Sequence, residues 1–272
     1  MRQVNGGLRW DSFKLDYTPD GGTALDRTDS MLSYRAGLVY KPAREGSVYL
    51  GYGTSFNPSA ETLSLTNSSR SPGLPNLDPE ESRTVELGIK WELMDRRVFA
   101  TAALFRTDKT NARTQDPTDP NDLLVLEGEQ RVQGFELGLS GAIGKAVNVS
   151  AGYTFLDTEI RDSLDITEIG KELSNSPENS FNFWGTYDVQ DKLQFGLGMQ
   201  FIDDRYNSIA NTRTAPSYWV YEASVAYMVN ERLNLRLNIQ NLTDEEYIDY
   251  VGGGHFIPGI GRVAMLSTSF SF

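Results

Sequence analysis

Hydrophobic and polar residues alternate with a period of two along most of the chain. Leu233, Leu235, Leu237 and Ile239 are interleaved with Asn234, Arg236, Asn238 and Gln240, so aliphatics fall on one side and amides with a guanidinium on the other. Leu193, Phe195, Leu197, Met199 and Phe201 alternate with Gln194, Gly196, Gly198 and Gln200, and Val85, Leu87, Ile89, Trp91 and Leu93 with Thr84, Glu86, Gly88, Lys90 and Glu92. The same division recurs in Leu32, Tyr34, Ala36, Leu38 and Tyr40, in Phe135, Leu137 and Leu139, and in Val147, Val149, Ala151, Tyr153 and Phe155. It closes the chain, where Ala264, Leu266, Thr268, Phe270 and Phe272 oppose Ser267, Ser269 and Ser271. This period predicts strands with one apolar and one polar face. The runs are about 9–14 residues long, near the ~9–11 that a tilted strand needs to cross a bilayer and above the ~5–6 of ordinary strands.

The connections follow a rule of their own. Short links at 41–46, 94–97, 144–146, 189–192 and 229–232 alternate with long polar segments at 18–29, 57–82, 109–123, 161–176, 204–216 and 243–261. In an up-and-down antiparallel barrel, that order puts every short turn at one rim and every long loop at the other. Unstructured loops beyond ~12–15 residues are uncommon in compact soluble domains. The predicted fold is therefore all-β: a transmembrane antiparallel up-and-down β-barrel of about 12 strands, one domain over residues 1–272.

Composition narrows the function classes. A formal charge of -12 argues against a nucleic-acid partner, which needs a clustered basic surface. Without cysteine there is no disulfide framework and no thiolate metal site. A mean hydropathy of -0.40 and the lack of a long apolar run exclude a transmembrane helix but not a barrel, whose strands are apolar on one face only. Tyr and Trp gather toward the run ends, at Trp10, Tyr40, Tyr52, Trp91, Tyr187 and Trp219, where amphipathic rings would sit at headgroup level. Residues 1–7 enter strand pattern directly with no signal peptide, which predicts a mature or truncated chain.

Several phrases carry a family resemblance: SYRAGLVYKP at 33–42, SVYLGYGTSFNP at 47–58, PEESRTVELGIKW at 79–91, FRTDKTNAR at 105–113, QGFE at 133–136, NIQNLTDEEY at 238–247 and PGIGR at 258–262. In this order they resemble the barrel of TonB-dependent siderophore receptors, most closely those for catecholate siderophores. That family's barrel has about 22 strands around an amino-terminal plug that engages TonB. The resemblance covers the carboxy-terminal half or so of the barrel, so the plug domain, the TonB-binding motif and the early strands are expected to be absent. What it implies is uptake of ferric siderophores across the Gram-negative outer membrane, with no catalysis and no resident cofactor, the iron being held by the siderophore. The implied partners are the ferric siderophore, outer-membrane lipid, the barrel-assembly machinery and, only through the missing plug, the TonB complex.

A ferric catecholate is an aromatic anion, so a mouth that binds it should offer cations beside rings. The candidates on the long-loop side are Lys109, Asn111, Arg113, Arg205, Tyr206, Arg213, His255 and Phe256; for each, a solvated loop charge or side chain is the plain alternative. Leu266, Phe270 and Phe272 are expected to form the assembly signal on the last strand. Asn241 to Asp244 reads as a turn, because Asn and Asp side chains bond nearby backbone. Glu136 is expected to point into the lumen beside Lys90 or Arg131, in an interior ion-pair network. Two other readings stay open: a self-contained barrel of about twelve strands acting as a pore or a membrane enzyme such as a phospholipase, closed by pairing of the strand at Leu8 and Trp10 with the one ending at Phe272; and a soluble all-β binding protein.

Overall fold

The structure is a computed structural model and describes residues 1–18, 25–58, 78–115, 124–252 and 255–272. Twelve strands form one antiparallel sheet: β1 (Arg2–Tyr17), β2 (Leu25–Tyr40), β3 (Gly46–Asn57), β4 (Glu80–Leu93), β5 (Val98–Gln115), β6 (Leu124–Ile143), β7 (Val147–Asp162), β8 (Asn179–Val189), β9 (Leu193–Ile202), β12 (Tyr218–Asn230), β13 (Leu233–Gln240) and β16 (Val263–Phe270). Each pairs with its neighbour in sequence, as the alternating connections require. Two small hairpins stand apart from the sheet: β10 (Arg205–Tyr206) with β11 (Thr214–Ala215), and β14 (Ile248–Gly252) with β15 (His255–Pro258).

The pairing register keeps like residues together across the sheet. Leu87, Leu104, Phe135 and Phe155 form one cross-strand row. Large side chains of this face stay exposed, with Leu8, Leu32, Leu50, Leu104, Leu197 and Leu266 among them. A soluble sandwich would bury them under a second sheet at ~1.5–3 kcal/mol each. No second sheet covers this face among the described residues, so the solvent that suits it is hydrocarbon.

The upper limit of that band is visible in the same register. One step toward the long loops, the row reads Val85, Arg106, Gln133 and Asp157; the next reads Arg83, Asp108, Arg131 and Glu159. Arg131 Nε donates to Asp108 at 2.7 Å, Arg106 Nε to Asp108 at 2.8 Å, and Gln133 Nε2 to Asp157 at 2.8 Å. Charges on the outward side belong in the headgroup layer or above it. From Val85 to Leu93 the apolar stretch matches the ~9–11 residues of a tilted span, and the remainder of β4 to β7 rises past the membrane. Aromatic rings gather near this boundary, with Phe135 stacked on Phe155 and Trp219 packed against Phe201 and Tyr221.

This extension corrects the predicted element bounds. β5 has 18 residues and β6 has 20, so much of the segment read as a loop at 109–123 is strand, and β2 begins at Leu25 inside the segment read as a loop at 18–29. Polar alternation above the lipid gives no apolar face to detect, which is why the pattern stopped short. The closed twelve-strand alternative is corrected as well. Among the described residues β1 and β16 lie at opposite ends of the sheet and do not pair.

Candidate functional site

On the polar face, glycines let long side chains lie flat against the wall. A Cβ at Gly198 would come within 2.7 Å of the Trp184 ring and one at Gly196 within 2.9 Å of it, so the indole rests across both. Asn5 lies over Gly37 in the same way, its side chain 2.6 Å from where a Cβ would be. Between β1 and β4 this leaves a cleft of about 580 Å³ lined by Asn5, Arg35, Tyr49, Glu86 and Lys90. The Tyr49 hydroxyl donates to the Glu86 carboxylate, and the Lys90 ammonium sits 5.1 Å from the Tyr49 ring centroid. Glu136 is on this face with Lys90, but Arg131 is on the other, bonded to Asp108, so of the two expected neighbours the Arg131 alternative is wrong. Among the described residues Glu136 belongs to no ion pair.

At the mouth above β3 to β5, Lys109 Nζ pairs with Glu80 at 2.9 Å, and Asn57 Nδ2 donates to the same carboxylate at 3.0 Å. Asn111 sits in a bulge with left-handed backbone (φ 54°), a conformation Asn tolerates, and its amide donates to the Pro79 carbonyl at 2.9 Å. Arg113 falls within β5, but its side chain lies outside the described residues.

Above β7 to β16 the long connections knit into one cap. Arg205 is 3% exposed; Nε donates to Asn175 Oδ1 at 3.1 Å, Nη2 donates to the carbonyls of Ile248 and Asp249, and the guanidinium lies 5.5 Å from the Tyr218 ring centroid. Its Nη1 is buried without a hydrogen-bond partner. Asn175 joins three segments at once: its N–H donates to the Tyr206 carbonyl at 2.8 Å, and its Oδ1 also accepts from Val251 N–H. Asn211 and Glu172 exchange two bonds, at 2.8 and 3.0 Å. The Asn241 amide is 1% exposed; it donates to the carbonyls of Glu245 and Ile260 and accepts from Glu245 N–H, closing the turn read from the sequence. The Tyr218 and Tyr247 rings pack at 4.4 Å.

Titration in the cap follows its packing. Burial, reinforced by Glu178, Asp204 and Asp157, raises the Glu172 carboxyl above its ordinary value. The Thr167 hydroxyl and N–H, bonded to Asp165, lower that carboxyl. Burial raises the Tyr247 phenol.

The predicted mouth residues thus divide. Arg205 is an internal tie of the cap and not a surface cation, and Tyr206 beside it is half-buried. Arg213, His255 and Phe256 are exposed on the cap, with Phe256 at 61%. Lys109 and Asn111 stand at the mouth within the loop-side end of β5. Asn175, Tyr49 and Glu86 were not singled out from sequence; Lys90 was, as a neighbour of Glu136, but without its contact to the Tyr49 ring. Trp184 could have been, since it occupies a polar position between Asn182 and Thr186.

Comparison with known proteins gives a consistent picture. The sequence model described as "TonB dependent receptor-like, beta-barrel" matches residues 3–242. A probable TonB-dependent siderophore receptor of Acinetobacter baumannii, PiuA, is 36% identical over 98% of this chain and 38% of its own length. The catecholate siderophore receptor Fiu of Escherichia coli K12 is 29% identical over 99% of this chain and 40% of its own. The crystal structure of PiuA superposes with a TM-score of 0.90, at 34% identity, over 99% of this chain and 40% of that one. The closed form of Fiu, a ferric-catecholate import receptor, superposes at 0.82, with 29% identity over 100% of this chain and 42% of that one. The chain therefore spans about two fifths of the relatives it matches.

Proposed function

The chain belongs to the family of TonB-dependent receptor β-barrels, and from that membership we propose that it is the wall and mouth of a receptor for ferric siderophores, energised through TonB. Its strands are those of a Gram-negative outer-membrane barrel. In this reading further strands and a plug domain complete the receptor, TonB acts through the plug, and the assembly machinery reads Leu266, Phe270 and Phe272. All three lie exposed on the lipid side, Phe270 and Phe272 edge to face at 5.6 Å.

The observation that carries the proposal is the division of one sheet into a lipid-facing apolar face and a polar face, topped by a tied cap that exposes a cation and aromatic surface. Arg213, His255 and Phe256 are each exposed on the cap, and in this reading they are the residues whose charge and ring stacking would suit an aromatic anion such as a ferric catecholate. Catalysis is no part of the reading: PiuA and Fiu are named as receptors. Titrating the chain in detergent with an iron(III) tris-catecholate complex tests it through quenching of tryptophan fluorescence. Saturable binding, weakened about tenfold by combined Arg213→Ala and Phe256→Ala, is the expected result. Absence of saturable binding, or equal binding by the combined variant, contradicts it.

A further inference from the structure

Charge is divided between the two rims as unevenly as loop length. The five short links carry seven cations against four carboxylates, whereas the six long ones carry eight against nineteen. A chain of net charge -12 therefore has one basic end. The excess gathers in three successive turns, 41–46, 94–97 and 144–146, which hold five cations and two carboxylates. Hairpins in a sheet repeat every two strands, roughly 10 Å. That is about one screening length at physiological salt, so neighbouring turns act on one anionic surface together.

The five cations are exposed, and among the described residues only Arg96 is in an ion pair, with Glu92 at 3.0 Å. Arg97 links two of the turns. Its Nε donates to the Met94 carbonyl at 3.1 Å and its Nη1 to the Gly144 carbonyl at 3.4 Å, which sets the guanidinium beside the residue preceding Lys145. Like charges placed side by side repel, and an anion shared between them removes that cost. The border of the turns selects the anion. Tyr40, Leu93 and Ile143 each immediately precede one of the three turns, lie on the lipid side and are exposed. Aromatic rings at such a boundary mark headgroup level, and Arg and Lys stems run along apolar surface while their charged ends reach outward. A free anion has no use for that apolar border; a phospholipid covers it with acyl chains.

We propose that the β2–β3, β4–β5 and β6–β7 turns form a docking rim for acidic phospholipid headgroups of the leaflet at the short-turn side. The proposal rests on the lipid-facing reading of the apolar face, and its test separates the two. The 272-residue chain in neutral detergent micelles is mixed with acyl-brominated phosphatidylglycerol or phosphatidylcholine at equal mole fraction, and quenching of tryptophan fluorescence is followed. The acidic lipid should associate at least about fivefold more strongly, and high salt should remove the preference. Combined Arg44→Gln, Arg97→Gln and Lys145→Gln should bring the two lipids within about twofold, whereas Arg44→Lys with Arg97→Lys keeps the preference. Unchanged circular dichroism separates lost association from lost fold. Quenching by neither lipid would overturn the lipid-facing reading together with the proposal. Equal quenching by both, an undiminished preference in the neutralised variant, or its abolition by inorganic phosphate at matched ionic strength would overturn the proposal alone.

Discussion

The two rims of the wall are built on different principles. At the short-turn rim the backbone closes on itself: Arg97 N–H donates to Leu93 and Met94 carbonyls, Asp188 N–H to Ala146, and Ser271 N–H to Arg232. At the long-loop rim the three connections above β7 to β16 are 15 to 22 residues long, and there side chains do the joining, chiefly Asn175, Arg205, Asn211 and Asn241. A tight hairpin satisfies its polar groups locally. A long loop that packs inward must find partners elsewhere, because a buried unpaired backbone group costs about 1–3 kcal/mol. Order at the cap therefore rests on one buried amide, two half-buried ones and one buried guanidinium, and single substitutions there should matter far more than in the turns opposite.

Asn241 gives the largest expected break in that contrast. Asn241→Ala removes three hydrogen bonds, strands Glu245 N–H and two carbonyls, and puts Ala at φ 48°. A loss of about 3–4 kcal/mol is expected from urea unfolding in micelles, read by tyrosine fluorescence. A substitution at Lys145, in the opposite turn, should cost under about 0.5 kcal/mol. Next comes Arg205→Met, which keeps bulk but frees Asn175, Ile248 and Asp249 from their shared donor. Because the native guanidinium is buried with Nη1 unpaired, removing its charge recovers part of the loss, and the net should be about 1–3 kcal/mol. Limited proteolysis should then cut the segments 163–178 and 241–247 faster, leaving the turns as before.

The smallest effect is a dependence on pH confined to the cap. Glu172 has a raised folded value, so its contribution to cap stability is greater when protonated and falls as pH rises through that value. Asp165 has a lowered one; its contribution is present above about pH 4 and is lost as pH falls further. Hydrogen exchange of cap amides should slow, after correction for intrinsic rates, as pH falls through the raised Glu172 value, and quicken below about 4 as Asp165 protonates. Glu172→Gln should abolish the first change and spare the second.

The same contrast decides what the sequence could disclose. Strand order, face assignment and the alternation of connections follow from a period-two pattern, and Leu233 to Gln240 or Leu193 to Phe201 carry it without ambiguity. Strand ends above the membrane carry no such pattern: on β5 the outward positions change from Leu104 to Arg106 and Asp108, which reads as loop although the ladder continues. The role of Arg205 was hidden for a different reason. An Arg-Tyr pair between strands signals a surface cation as readily as a buried tie, and only the arrival of β14 from forty residues away distinguishes the two. Asn241 was legible as a turn because its bonds to Glu245 are local, whereas its bond to Ile260 was not.

The central claim is that one face of these strands meets lipid while the other lines an aqueous lumen, and a chain without cysteine allows a direct test. Single cysteines placed from 233 to 240, spin-labelled in lipid vesicles, report collisions with oxygen and with a water-soluble nickel chelate. Labels at Leu233, Leu235, Leu237 and Ile239 should favour oxygen and those at Asn234, Arg236, Asn238 and Gln240 the chelate, in strict alternation; equal access along the strand, or the reverse order, would contradict the account.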